Sequence, residues 1–272
     1  QLYFDFTNAT DGYTELGYNM VSTLLPQLDA AGEINNIVVP LSEFENELKP
    51  ESSVAYNIGS SWQIHKKLLL SVNLFRNDFK NLIDTRVIAN KTNGQNVFSY
   101  YNVNQSFTQG LETNTTYKPT NRIKLSLGYQ LLYAKDKDAI TAFKNGEVFA
   151  RLSPTSPSFE LSEDDYFGLF NRSRHMVNFK CFYKISSWKA DFNIRGTYRS
   201  KYGLFDTNGN SYLDDYDEFV DAYSIWDVAF NKQLFNNYTI GVGVDNLFDF
   251  TDTQNISNIP GRLIFGKMNI QL

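Results

Sequence analysis

From Ser53 onward, apolar and polar side chains alternate with period two. Val54, Tyr56, Ile58 and Trp62 fall on one face while Ala55, Asn57, Gly59 and Ser61 fall on the other, which is the spacing of a strand with one apolar side. The pattern returns after His65-Lys66-Lys67, with Leu68, Leu70, Val72 and Leu74 against Ser71, Asn73 and Asn77. Leu111 and Tyr117 alternate with Gly110, Glu112 and Asn114, and after Pro119-Thr120-Asn121 the residues Ile123, Leu125, Leu127, Tyr129, Leu131 and Tyr133 oppose Lys124, Ser126, Gly128 and Gln130. Further on come Val177, Phe179, Cys181 and Tyr183, and then Trp188, Ala190, Phe192, Ile194 and Tyr198 set against Lys189, Asp191, Asn193, Arg195 and Arg199. Trp226, Val228 and Phe230, then Tyr238, Ile240, Val242 and Val244, and last Ile264, Met268, Ile270 and Leu272 complete about nine strands, with a partial one at Gln1 to Phe6.

The strands predicted here run to roughly 10–15 residues, against about 5 or 6 in soluble sheets and about 9–11 for a tilted strand that crosses a bilayer. Their connections alternate. Short turns are expected near His65, Pro119, Ser186-Ser187 and Phe235-Asn236-Asn237, and long polar loops over 7–49, 86–98, 135–173, 203–222 and 250–261. Outer-membrane barrels have this asymmetry, with short turns on one side and long loops on the other. The competing class is a secreted all-β binding module, in which the charged face is simply solvated. Length, loop asymmetry and the Tyr and Trp residues at strand ends favour the barrel.

Composition narrows the partners. Aromatics make up 15% of the chain, yet mean hydropathy is -0.37 and no apolar run approaches the roughly 18 residues of a membrane helix. The net charge of -5, with Lys+Arg 25 spread among Asp+Glu 30, offers no basic stripe for a phosphate backbone, so nucleic acid is not an expected partner. Cys181 is the single cysteine, which leaves neither a disulfide framework nor a thiolate metal cluster.

Four segments in order then carry a family likeness. Gln1-Leu2-Tyr3 leads through a loop to Asn46-Glu47-Leu48-Lys49-Pro50-Glu51. Arg76-Asn77-Asp78-Phe79-Lys80-Asn81-Leu82-Ile83 follows, then Gln109-Gly110-Leu111-Glu112. Val244-Asp245-Asn246-Leu247-Phe248-Asp249 precedes Pro260-Gly261-Arg262 and a last alternating strand. In this order they resemble the C-terminal barrel half of TonB-dependent outer-membrane receptors of the vitamin B12, haem or siderophore type. Glu47 stands where the family has Pro, and Leu272 where an aromatic is common.

The resemblance implies an all-β fold: the C-terminal part, about ten antiparallel strands, of a 22-stranded transmembrane barrel in the outer membrane of a Gram-negative bacterium. It implies that residues 1–272 are a barrel portion whose plug and earlier strands lie outside this chain. The implied partners are outer-membrane lipid, the N-terminal half of the same receptor, the TonB complex acting through the plug, and in some receptors a surface lipoprotein. The implied function is active import of a scarce ligand, such as an iron–siderophore complex, haem or cobalamin, with no catalysis. A non-transporting surface barrel or adhesin is the alternative within the same fold.

Two sets of residues are candidate sites. Asp206, Asn208, Asn210, Asp214 and Asp217 place side-chain oxygens, and Tyr212 a carbonyl, at calcium-loop positions, although Ser211 replaces the usual Gly. The alternative is a polar, turn-rich surface loop. Tyr100, Tyr101, Tyr166 and Phe167 near loop bases are candidates for stacking on a planar ligand, or else interfacial girdle residues. His175 is a candidate haem ligand or an ordinary rim residue. The charge clusters Glu163-Asp164-Asp165 and Lys135-Asp136-Lys137-Asp138 are expected to be solvated.

Overall fold

A computed structural model describes residues 18–38, 50–93, 96–153, 155–204, 206–235 and 237–270; within these, the side chains of 18–22, 83–87, 96, 98, 100, 101, 103 and 104 fall outside the description. The expected strand at Gln1–Phe6, the Asn46–Lys49 segment and Leu272 lie outside the described residues. The chain divides into two compact units, 1–54 with 78–106 and 55–77 with 107–272.

In the first unit, helix α1 (Tyr18–Ala30) and strand β1 (Ile34–Ile37) occupy part of the region expected to be a long polar loop. Leu24, Leu25 and Leu28 share one helical face and pack with Ile34, Ile88, Ala89 and Val97. A search for period two passes over that helical spacing. The helix ends at Gly32 (φ 69°), where Glu33 N donates to Leu28 O and Gly32 N to Asp29 O, the paired closure that a left-handed glycine permits.

The remaining long strands are β2 (Ser52–His65), β3 (Leu68–Lys91), β4 (Asn96–Thr120) and β5 (Ile123–Asp136). Short strands β6 (Phe149–Ala150), β7 (Phe159–Glu160) and β8 (Tyr166–Gly168) precede β9 (His175–Ile185) and β10 (Ala190–Arg199). Then come β11 (Tyr202–Gly203), β12 (Leu213–Asp214), β13 (Phe219–Val220), β14 (Tyr223–Leu234), β15 (Tyr238–Asp245) and β16 (Leu263–Ile270). The ten-stranded sheet runs β1-β3-β4-β5-β9-β10-β14-β15-β16, with β2 also on β3. The short turns fall where the sequence places them. The expected 86–98 loop is a correction: β3 extends to Lys91 and β4 begins at Asn96, because Val87, Ile88, Val97 and Phe98 sustain β structure. Trp188 also moves, from a strand to a 3-10 turn closed by Lys189 at φ 47°.

In the second unit the registers fix the faces, since directly opposed residues of an antiparallel pair share one side. Leu125↔Cys181, Cys181↔Ile194, Ile194↔Val228, Val228↔Val244 and Val244↔Ile264 trace an apolar row across six strands. That face is not covered. Leu127 is 47% exposed, Val242 54% and Ile264 80%. The other face carries Lys180, Arg195 and Asp227 in one row. Two rows nearer the turns come Lys184, Asp191, Asn231 and Lys267.

The long connections of this unit have their own core. Helix α2 (Lys137–Lys144) is capped by Asp136, which accepts from Asp138 N and Ala139 N, satisfying two of the amides a helix start leaves unpaired. Ala139, Phe143, Val148, Ala150, Leu161 and Tyr166 are buried together, with Phe159 and Tyr212 against them. Pairing of β8 with β12 joins the 137–174 connection to the 200–222 connection, and Asp215 N donating to Asp165 O extends the join.

Candidate functional site

The polar face of the second unit holds a cleft of about 490 Å³, lined in part by Lys124, Lys180, Arg195, Asp227, Asp245 and Lys267. Arg195 Nη2 lies 3.2 Å from Asp227 Oδ2 and 3.8 Å from Asp245 Oδ1, so a single guanidinium stands between two carboxylates. Asp191 Oδ1 accepts from Asn193 Nδ2 and from Asn231 Nδ2. Charges and amides on consecutive strands thus make a wettable wall behind an apolar one.

At the loop end of the same face lies a second pocket of about 350 Å³, whose lining includes Asn171, Arg199, Tyr202, Tyr223, Asn255 and Ile259. The Arg199 guanidinium carbon sits 3.5 Å from the centre of the Tyr202 ring. Its Nε donates to Ser173 Oγ and its Nη2 to Asn171 O and Oδ1. The cation is therefore held in one orientation by a ring and by hydrogen bonds. Tyr223, directly opposite Arg199 across β10 and β14, stacks on Phe250 at 4.8 Å and 9°. Tyr202 is itself 2% exposed, so it backs the guanidinium, and the fixed cation beside Tyr223 can receive an anionic guest.

The Asp206–Asp217 loop turns its carboxylates onto its own amides. Asp206 accepts from Gly209 N and Ser211 N. Asp217 Oδ1 accepts from Thr207 N and Asn208 N, and its Oδ2 from Asp214 N. Asp214, at 0% exposure, accepts from Asn208 Nδ2 and Asn210 Nδ2. The Asn208 and Asn210 oxygens accept from Asn210 N and Tyr212 N. Asn208, Asn210, Asp214 and Asp217 are thus linked to one another, while Asp206 binds the Gly209 and Ser211 amides, and N–H groups donate to all three carboxylates. Among the described residues no group of three or more His, Cys, Asp or Glu side chains has metal-holding geometry; the loop's remaining oxygens are two amides and a carbonyl.

The stacking candidates separate. Tyr166 is 3% exposed, packed between Phe143 and Tyr212, with its hydroxyl accepting from Asp136 N. Burial raises its phenol pKa well above the ordinary value. It is a core residue of the loop unit and presents no ring face to a ligand, which corrects the sequence expectation. Phe167 keeps a half-buried ring against Phe219, with Arg174 and Lys201 over it. Tyr100 and Tyr101 lie in β4, their side chains outside the described residues.

His175, a candidate haem ligand or ordinary rim residue, opens β9. It opposes Leu131 and so belongs to the apolar face, where Tyr129 Oη lies 2.9 Å from its Nδ1; a haem entering over the polar face would not meet it. Sequence reasoning also missed the Arg199–Tyr202–Tyr223 pocket. Its signal was the parity of Arg199 with Arg195, which needed the register of β10 against β14 to acquire a partner.

The family model described as TonB dependent receptor-like, beta-barrel matches residues 1–247. A ferric enterobactin receptor of Pseudomonas aeruginosa is 24% identical over 218 residues, covering 74% of this chain and 25% of the relative. A solved ferric enterobactin receptor from Pseudomonas aeruginosa superposes with TM-score 0.56 at 20% identity, over 82% of this chain and 31% of that one. The ferric-catecholate import receptor Fiu from E. coli gives TM-score 0.55 at 18% identity, over 87% and 30%. The siderophore receptor PirA from Acinetobacter baumannii gives 0.54 at 22%, over 82% and 32%. The chain spans about a quarter of the length of its curated relative.

Proposed function

Because the chain belongs to the TonB-dependent receptor β-barrel family, we propose that it is the C-terminal part of the wall of an outer-membrane receptor that imports an iron–siderophore complex. The observation that carries this reading is the uncovered apolar face of β5, β9, β10, β14, β15 and β16. Exposed apolar surface costs roughly 25 cal/mol per Å² in water, whereas in a bilayer it is the face that lipid solvates. The polar face then borders the lumen, and the Arg199–Tyr202–Tyr223 pocket lies at its mouth, suited to an anionic aromatic chelate such as the catecholates bound by relatives.

In this reading the sheet closes with strands supplied by the rest of the receptor. Among the described residues β16 pairs with β15 alone, and an unsatisfied strand edge in lipid costs several kcal/mol per group. The plug, and TonB acting through it, supply gating and energy. The test is growth of a deletion strain on single iron sources. Loss of growth on a ferric catecholate, restored by the intact gene and not by an Arg199→Ala form, supports the reading; unchanged use of every iron chelate removes it.

The Asp206–Asp217 loop is proposed to take up calcium through Asp206, Asn208, Asn210, Asp214, Asp217 and the Tyr212 carbonyl, after its two Asn amides turn their oxygens inward. Calcium would take the place at Asp214 of the N–H donors that those amides now direct at it. Calorimetry on the intact receptor should detect binding that vanishes in Asp206→Ala/Asp214→Ala; binding that survives the double change places the ion elsewhere.

A further inference from the structure

We propose that Asp227 is a positioning residue that holds the 246–262 loop against the mouth pocket, with Arg195 setting its charge environment. One carboxylate serves two partners. Its Oδ2 faces Arg195 Nη2 at 3.2 Å, and its Oδ1 accepts from Asn246 N at 2.9 Å. Asn246 is 4% exposed and left-handed, at φ 52°. Its side chain closes the loop from both ends: Nδ2 donates to Phe250 O at 2.7 Å and to Pro260 O at 3.0 Å, while Oδ1 accepts from Phe250 N at 2.9 Å. Asp249, also left-handed at φ 59°, accepts from Arg262 N at 2.6 Å.

What the loop then does is form one side of the mouth. Phe250 stacks on Tyr223, and Asn255, Ile256, Ser257, Asn258 and Ile259 line the pocket opposite Arg199. At its root, Asp227 immediately precedes Val228 on β14 and Asp245 immediately follows Val244, its paired residue on β15. Two carboxylates facing each other across a sheet repel, and Arg195 is the cation between them. Removing it would push apart the strand ends from which the loop leaves. A buried hydrogen-bonded Asn and a shared carboxylate therefore connect a charge on the lumen wall to the shape of the ligand mouth. The identity of that mouth rests on the proposed function, but the link between Asp227 and loop order does not.

Hydrogen–deuterium exchange on the intact receptor in detergent, without ligand, tests the link. Asp227→Ala should speed exchange of amides in 246–262 by about 10-fold or more, as expected for losing a hydrogen bond to a charged acceptor. Asp227→Asn, which keeps an acceptor for Asn246 N, should recover much of that protection. The exchange Arg195→Asp/Asp227→Arg restores opposite charges but leaves no acceptor at 227, so protection should stay lost. Wild-type protection in the swapped pair would reduce the contact to an ordinary ion pair and overturn the proposal, as would unchanged exchange in Asp227→Ala. Should that variant fail to assemble, Arg195→Gln must still speed exchange in 246–262, and unaltered exchange there overturns the proposal as well.

Discussion

The strand wall and the loop unit of one chain are built on opposite rules. In the loop unit, Leu161 is 1% exposed, Phe143 2%, Tyr166 3% and Leu213 1%, an arrangement any water-soluble domain would share. On the wall, Ile58 is 72% exposed, Ile264 80% and Met268 61%, while Arg195, Asp191 and Asn231 line the other side. The loop unit buries its apolar atoms against each other, and the wall turns them outward. Under the proposed function a single sequence carries both arrangements because each region answers to its own solvent, water beyond the loops and lipid around the strands. Cohesion differs accordingly: ladder hydrogen bonds hold the wall, and side-chain packing holds the loop unit.

The contrast can be broken from either side. Phe143→Ala removes the ring that packs on Tyr166 and Tyr212, a loss of about 3–5 kcal/mol for a buried Phe. Protease cleavage within 137–174 and 200–222 should then appear, while heat-modifiable mobility of the barrel on SDS gels stays as in wild type. If barrel assembly fails too, the two regions are not independently held. Val242→Arg, at a 54% exposed position, would be nearly neutral on a soluble sheet but should cost about 2–4 kcal/mol at a bilayer midplane. Its signature is a lowered denaturant midpoint for refolding into lipid vesicles, with the loop unit's protease pattern unchanged. The smallest effect belongs to Asp136→Ala, which uncaps α2 for about 1 kcal/mol; faster amide exchange confined to 137–144 would register it.

Much of the wall was legible because period two needs no partner to be read. Ile123 to Tyr133 and Phe192 to Tyr198 disclosed their faces from spacing alone, and every short turn followed from where alternation stopped. Register was not legible, and the functional geometry depends on it. Arg199 meets Tyr223, and Arg195 meets Asp227, only once β10 is aligned with β14. That His175 shares the face of Leu131 and meets the Tyr129 hydroxyl followed only from the alignment of β5 with β9. Tyr166 looked available for stacking because it lies in a polar stretch; a core assembled from Phe143, Leu161 and Tyr212 joins segments far apart in sequence. The Asp206 to Asp217 loop closes on itself through local hydrogen bonds from its own amides, which the oxygen spacing alone did not disclose.

The most direct test of the lipid-facing wall is a nitroxide scan of residues 123–131 in the full-length receptor, reconstituted in bilayers on a Cys181→Ser background. Labels at 125, 127 and 129 should collide with dissolved oxygen and not with an aqueous nickel chelate, and labels at 124, 126 and 128 should show the reverse. Equal access of the aqueous reagent to both sets would contradict a membrane wall and return this sheet to water.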